Sequence, residues 1–130
     1  KLDNIRWVIE DALRFVKREA KRGNIYQGII MDPPAYGHGP DGERWKLDEH
    51  LFEMLTEVSK ILSTKESFLV LNLYSNGYSA VLADTLVRTS FLKKESRGAT
   101  SGAELQYGEL VLRDGFEKNL PLSVFVRLKR

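Results

Sequence analysis

The chain has 130 residues, 42% hydrophobic and 29% charged, which predicts one globular domain with a real core and argues against disorder. Its net charge of +2 is compatible with nucleic-acid binding but does not indicate it. Because cysteine is absent, disulfides, cysteine-ligated zinc sites and a thiol nucleophile are excluded from this stretch. The sequence shows no apolar run of membrane-spanning length and no signal peptide, so we expect a soluble, cytoplasmic protein without a membrane partner.

The first half of the chain alternates predicted strands and helices. The β-branched and aromatic residues 5–9 (IRWVI) predict a strand, and the amphipathic residues 12–23 predict a helix that ends at its final glycine. Residues 26–31 (YQGIIM) predict a second, buried strand. Residues 36–45 are rich in glycine and predict a loop. In residues 47–62 the apolar side chains recur at helical spacing, which predicts a second helix.

The second half continues this alternation and then ends in two strands. Residues 68–75 (FLVLNLYS) predict a third buried strand, and residues 79–91 predict a helix with Ser79 as its N-cap. After a basic, glycine-containing loop at residues 92–103, residues 104–112 and 122–128 predict the two final strands. No internal repeat, low-complexity tract or linker is visible, so we expect a single domain over residues 1–130.

The order β-α-β-α-β-α-β-β predicts an α/β fold with a mostly parallel sheet, helices on both faces and an antiparallel carboxyl-terminal hairpin at one edge. In sheets of this kind, ligands bind beyond the carboxyl ends of the strands. Asp11, Asp32 and residues 74–76 all follow predicted strands on that side. We therefore expect the functional site at this end of the sheet.

Asp32, Pro33 and Pro34 end the second predicted strand. Proline lacks an N–H and has a fixed φ, so the pair stops the strand and stiffens its exit. A residue before proline is also held extended, which applies here to Asp32. A stiff carboxylate at a strand tip suits a functional site. The alternative is a turn or N-cap acid, which is common before prolines.

Together, these features resemble the carboxyl-terminal two thirds of class I S-adenosylmethionine-dependent methyltransferases. Asp32-Pro33-Pro34 is similar to the family's catalytic Asp/Asn-Pro-Pro-aromatic motif, and the Asp11-Ala12 pair stands one βα unit earlier. The longer run GIIMDPPAYGHGPDGERWKL is similar to a bacterial branch related to large-subunit ribosomal RNA methyltransferases. The resemblance implies a Rossmann-like methyltransferase sheet with a closing hairpin, S-adenosylmethionine as cofactor, and a ribosomal RNA base as substrate.

The resemblance implies that Asp32, Pro33 and Pro34 form the catalytic loop. Asp32 would accept hydrogen bonds from the target amine, which orients its lone pair toward the methyl group. The sequence departs from the family at Ala35, where amino-methylating members have an aromatic residue that stacks on a flipped base. Tyr36, one position later, is the candidate to take over this stacking.

For the cofactor, the resemblance implies contacts from Asp11, Ala12 and Asp32. The Asp11 carboxylate would accept the adenine amino group, and the Ala12 N–H would donate to the adenine ring. The alternative for Asp11 is the N-cap of the following helix, and the two roles can coexist.

Two further elements of the family are absent from the sequence: the glycine-rich loop for the methionine end of the cofactor, and the acid that holds the ribose hydroxyls. We expect that the first two strands of the family sheet are missing from this chain. We also expect the chain alone to be inactive, to bind S-adenosylmethionine poorly, and to form a homodimer by strand exchange through residues 5–9 and 29–31.

The predicted function is methyl transfer to RNA, and the alternative is a non-catalytic α/β binding or assembly domain that keeps the fold. No metal is expected, because His38 and His50 have no partner carboxylate at ligand spacing. Trp45 fits either a hydrophobic staple for the following helix or a nucleic-acid surface. The basic residues at 17–22 are typical of a solvated helix face. Asn72, Tyr74 and Ser75 end the third predicted strand and could contact the substrate, which the sequence leaves open.

Overall fold

The computed structural model describes residues 3–39, 42–74, 77–92 and 102–130. Within these ranges the chain forms three α-helices and six β-strands. In chain order they are α1 (Ala12–Arg22), β1 (Gly28–Met31), β2 (Tyr36–His38), β3 (Arg44–Lys46), α2 (Leu47–Ile61), β4 (Phe68–Leu73), α3 (Ala80–Phe91), β5 (Glu104–Arg113) and β6 (Asn119–Lys129).

Four of the strands form one mixed sheet in the order β1-β4-β6-β5. β1 and β4 are parallel, with Gly28 opposite Phe68 and Met31 opposite Leu71. β6 pairs antiparallel with β4 on one side and with β5 on the other. The predicted α/β class with an antiparallel carboxyl-terminal hairpin is therefore confirmed. β2 and β3 form a separate two-stranded hairpin.

The three helices were predicted closely, and their ends show why. α1 begins after Asp11, whose carboxylate accepts the Arg14 N–H, and it ends at Gly23 in the left-handed conformation (φ 73°) that favours glycine. α3 has Ser79 as its N-cap, with the hydroxyl accepting the Leu82 N–H. Residue 75 of the third predicted strand and most of the predicted loop at residues 92–103 lie outside the described residues.

Two predicted elements were wrong. Residues 5–9 do not form a strand, and Trp7 is 85% exposed. Strand propensity expresses how well a side chain fits a pleated, half-buried surface, and no described strand lies beside this segment to provide one. Residues 36–45 are not only loop, because they contain β2 and β3. Gly39 helps to close that hairpin, donating its N–H to the Glu43 carbonyl over 2.8 Å.

The hydrophobic core lies between the three helices and one face of the sheet. Alternate residues of β4 (Leu69, Leu71 and Leu73) point into it and are at most 1% exposed. α2 contributes the largest share, since six of its side chains are buried along one stripe: Leu47, Leu51, Met54, Leu55, Val58 and Ile61. The buried stripe makes α2 part of this core.

The opposite face of the sheet, which we call the open face, carries Ile30, Phe68, Val70 and Phe125. No helix among the described residues covers it, and Ile30 is 74% exposed. The prediction of helices on both faces was therefore wrong for the described part of the chain. Strand–helix alternation alone does not decide which face a helix covers.

Candidate active site

β1 ends at Met31, and the Asp32-Pro33-Pro34 segment leaves the carboxyl end of the strand as predicted. The exposed Asp32 carboxylate is held from the neighbouring strand, because Asn72 Nδ2 of β4 donates to Asp32 Oδ1 over 2.8 Å. Asn72 is held in turn by Ser123 of β6, whose hydroxyl donates to Asn72 Oδ1 over 2.7 Å. The acid is thus linked to the two strands that follow β1 across the sheet.

The β2–β3 hairpin supports the other end of this loop. Trp45 Nε1 donates to the Pro34 carbonyl oxygen over 2.7 Å, and the Leu47 N–H donates to the Ala35 carbonyl oxygen over 3.0 Å. Trp45 also stacks on His50, with ring centroids 5.6 Å apart. Of the two interpretations of Trp45, the geometry favours the structural one, since its polar atom is already engaged.

Asp11 occupies the start of α1 as a helix cap. Its Oδ1 accepts the Arg14 N–H over 2.7 Å, and its carbonyl oxygen accepts the Phe15 N–H over 2.9 Å. Among the described residues, no other hydrogen bond reaches the carboxylate, so Oδ2 retains its acceptor capacity. The Ala12 N–H lies in the first turn, where helix donors have no partner within the helix. The cap observed here leaves the cofactor role open.

A cleft of about 770 Å³ separates α1 from β1 and brings most of the predicted site together. Its walls include Asp11, Ala12, Asp32, Pro33 and Pro34, with apolar side chains of α1, β1 and α2 at its base. Such a volume lies within the range of small-molecule sites. Tyr36 is 75% exposed and is not among the lining residues.

Three basic side chains of α1 pair with acids from other segments. Arg14 pairs with Glu43 beside the hairpin at 2.5 Å, Lys17 pairs with Glu53 of α2 at 2.6 Å, and Arg18 pairs with Glu10. The hydrogen bond between Lys17 and Glu53 raises the pKa of Lys17 and lowers that of Glu53. This pairing makes the face a poor candidate for binding phosphates.

The carboxyl end of α1 is fixed by a buried acid. Glu19 accepts the Tyr26 hydroxyl over 2.6 Å and the Asn24 amide over 2.7 Å. The bond from Tyr26 is the largest cause that lowers the pKa of Glu19, and the same bond raises the pKa of Tyr26. These contacts tie together the turn that leads from α1 to β1.

Two site features were not found from the sequence. His38 lies on the cleft wall, although its loop position suggested only a surface residue. Ser123 was missed because its partner Asn72 is 51 residues away. The only sequence signal was a small hydroxyl residue among the apolar residues of the last strand. In the described ranges, no three His, Cys, Asp or Glu side chains gather as a metal site would require. In the same ranges, the helices are too short or too polar to span a membrane.

Comparison with solved structures identifies the architecture. A SAM-dependent methyltransferase from Agrobacterium tumefaciens is similar over 96% of this chain, with 38% sequence identity and a TM-score of 0.81. The chain has a Rossmann-like methyltransferase fold. A putative SAM-dependent methyltransferase from Streptococcus mutans matches the whole chain at 15% identity and a TM-score of 0.69, which supports the fold alone.

The methyltransferase fold is represented here in part. The chain spans 40% of the length of the Agrobacterium protein and 32% of the Streptococcus protein. No protein-family model matches the chain. No curated protein matches it either. The predicted fold class is confirmed, whereas the roles of the cleft residues stay predictions.

Proposed function

We propose that the protein is an S-adenosylmethionine-dependent methyltransferase acting on RNA, with a ribosomal RNA base as substrate. One observation carries the proposal: the Asp32-Pro33-Pro34 loop and the Asp11-Ala12 helix start line one cleft at the carboxyl end of β1. That is the end of the sheet where α/β folds bind ligands. The likeness to the Agrobacterium methyltransferase supports the reaction class, and the RNA substrate rests on the sequence resemblance.

The cleft fits the adenine end of the cofactor. Asp11 has an acceptor oxygen outside its capping bond, Ala12 has a free first-turn N–H, and Leu13 and Val16 supply apolar surface for a ring. When bound, S-adenosylmethionine would supply a methyl group on a sulfonium sulfur. The described residues include no glycine-rich loop for its methionine end. We therefore propose that the chain alone binds the cofactor poorly.

In this mechanism Asp32 acts on the substrate. Its carboxylate accepts a hydrogen bond from the target amine and aims the nitrogen lone pair at the methyl group. Asp11 and Ala12 would hold the adenine end of the cofactor, which would supply the methyl group, and Asp32 or water would take up the proton that the methylated amine loses. Pro33 and Pro34 keep the carboxylate in place, so that the gain in rate comes mostly from orientation. Tyr36 is proposed to stack on the flipped base from the exposed side.

An Asp32→Ala variant of the complete protein tests the assignment. We expect methyl transfer to be lost and cofactor affinity to be nearly unchanged. Isothermal titration would measure cofactor binding, and transfer of radiolabelled methyl groups to ribosomal RNA from a strain lacking the gene would measure activity. Glu109→Ala, an exposed acid on β5 outside the cleft, is the matched control. Retained turnover in Asp32→Ala would remove the catalytic role.

A non-catalytic binding or assembly domain is the second candidate, and the open face of the sheet favours it. We also propose a homodimer formed by strand exchange. β1 pairs with β4 alone among the described strands, and residues 5–9 present exposed apolar side chains without a partner strand. An unpaired strand edge beside a free apolar segment is a template for pairing between chains.

A further inference from the structure

Three polar side chains join across three adjacent strands at the carboxyl end of β1. Ser123 of β6 donates to Asn72 of β4, and Asn72 donates to Asp32 just beyond β1, over 2.7 Å and 2.8 Å. The register between β4 and β6 brings Asn72 and Ser123 together on the open face. Asn72 lies opposite Phe125 of β6, and Ser123 comes two residues before Phe125. The contact therefore depends on the sheet and not on the local sequence.

The two links together fix the orientation of the Asn72 amide. An asparagine amide has a carbonyl oxygen that accepts and an NH₂ that donates, and the two ends are similar in shape. The Asp32 carboxylate can only accept, so the NH₂ group faces it, and the Ser123 hydroxyl, which can donate or accept, donates to the amide oxygen. In the reverse orientation the amide oxygen would face the carboxylate, and both groups would be acceptors.

The second link restrains an otherwise exposed acid. Asp32 is exposed, whereas Asn72 and Ser123 are half-buried and belong to paired strands. Hydrogen bonds to an ionised acceptor are stronger than neutral ones, so Asn72 is suited to hold one rotamer of the acid. No hydrogen bond from a described residue reaches Asp32 Oδ2, which leaves that oxygen available in the cleft.

Asn72 and Ser123 do not line the cleft, whereas Asp32 does. We propose that Asn72 and Ser123 are positioning residues, which hold Asp32 Oδ1 so that Oδ2 is presented to the substrate amine. This inference rests on the proposed methyltransferase function. Under this proposal Ser123 affects turnover by positioning Asn72, and Asn72 affects turnover by positioning Asp32.

The test uses the complete protein in the ribosomal RNA assay described above. Asn72→Ala should lower kcat by about 10² while the cofactor dissociation constant and the KM for RNA stay unchanged, since misplacing a catalytic group costs this much. Ser123→Ala should lower kcat by a smaller factor, on the order of 10. Ser123→Thr keeps the hydroxyl and should retain turnover. Asn119→Ala, on the same strand but exposed, is the control.

A double variant makes the test specific to a chain of contacts. If Ser123 acts only through Asn72, the pair Asn72→Ala and Ser123→Ala should be no slower than Asn72→Ala alone. A multiplicative loss, or a change confined to KM, would overturn the inference. So would a Ser123→Thr variant as slow as Ser123→Ala, which would indicate packing rather than the hydroxyl.

The outcome separates the inference from the proposed function. If Asp32→Ala loses turnover but Asn72→Ala does not, the positioning role is overturned and the methyltransferase assignment stands. If Asp32→Ala keeps its turnover, the catalytic role of Asp32 and the positioning role both fail, while the methyltransferase assignment stands. If the wild-type protein transfers no methyl group, the methyltransferase assignment itself fails. Melting curves of each variant exclude loss of fold as the cause of a slow enzyme.

Discussion

The indole N–H of Trp45 donates to the carbonyl oxygen of Pro34 over 2.7 Å. This bond joins the β2–β3 hairpin to the loop that carries Asp32, and it restrains the loop in addition to the bond from Asn72. Pro34 is therefore fixed by its own ring and by a partner eleven residues later in the chain. The loop has two supports, which can be removed one at a time.

Trp45→Phe removes the hydrogen bond and keeps an aromatic ring beside His50. A net hydrogen bond contributes about 1 kcal/mol, so we expect turnover to fall about fivefold through loss of loop order. Steady-state methyl transfer would measure it. Trp7→Phe is the matched control, since Trp7 is exposed and outside the cleft. Equal turnover in both variants would show that the hairpin does not support catalysis.

The two roles of Asp11 can be separated with two variants. Asp11→Ala loses the helix cap and should lower the free energy of unfolding by about 1 kcal/mol, whereas Asp11→Ser keeps a capping oxygen and most of the stability. If the carboxylate binds adenine, both variants should weaken cofactor binding by about 1–3 kcal/mol. Chemical denaturation and isothermal titration measure the two effects. If the dissociation constant for the cofactor is unchanged in Asp11→Ser, then Asp11 serves only as the helix cap.

Glu19 predicts a dependence of stability on pH. Its pKa is lowered in the folded state, chiefly by the Tyr26 hydroxyl, so its contribution is complete above the ordinary value of 4.5 and is lost as pH falls through the lowered value. The pKa of Tyr26 is raised, so its contribution is complete below 10.0 and is lost as pH rises through the raised value.

Glu19→Gln should therefore melt at a lower temperature at neutral pH and lose less stability than the wild type on acidification below pH 4.5. Thermal unfolding followed by circular dichroism over a pH series would measure the difference. Glu117→Gln, in the exposed turn before β6, is the control. Parallel pH curves for the wild type and Glu19→Gln would contradict the role given to this carboxylate.

The chain as described here should self-associate. Ile30 belongs to β1, the edge strand of the described sheet, and its side chain is 74% exposed on the open face. Ile30→Lys would place a charge there, and we expect it to shift the chain toward monomer, because edge charges oppose strand pairing. Light scattering over a concentration series would report this. Val81→Lys, 62% exposed on α3, changes the same kind of residue elsewhere. A wild-type chain that stays monomeric at high concentration would contradict the strand-exchange proposal.

Local signals predicted the local structure well. The apolar spacing predicted α2, and the Ser79 cap predicted α3, to within one residue at each end; the proline pair predicted the end of β1. Residues 5–9 failed because a strand also needs a neighbour, which propensity does not supply. The sequence indicated that Asn72 lies near the end of a strand, but it did not indicate that Ser123 is its hydrogen-bond partner.

The pairing of Asn72 with Ser123 depends on the insertion of β6 between β4 and β5, and no local pattern encodes it. The same holds for the side of the sheet on which the helices pack. The sequence therefore predicted the position of Asp32 at the strand tip, and its role as the acid of the site stays a prediction. It did not predict the side chains that hold the acid, because they are set by long-range register.

The sheet order also has a consequence for the nascent chain. β6 is synthesised after every other described element, yet it lies between β4 and β5. Until β6 emerges from the ribosome, β5 lacks its partner strand. Leu71 of β4 then also lacks Val126, its cross-strand neighbour on β6. Pairings between distant segments form slowly. The Ser123–Asn72 contact therefore requires β6 to have paired with β4, so a chain stalled before β6 would contain Asp32 without this hydrogen-bond chain.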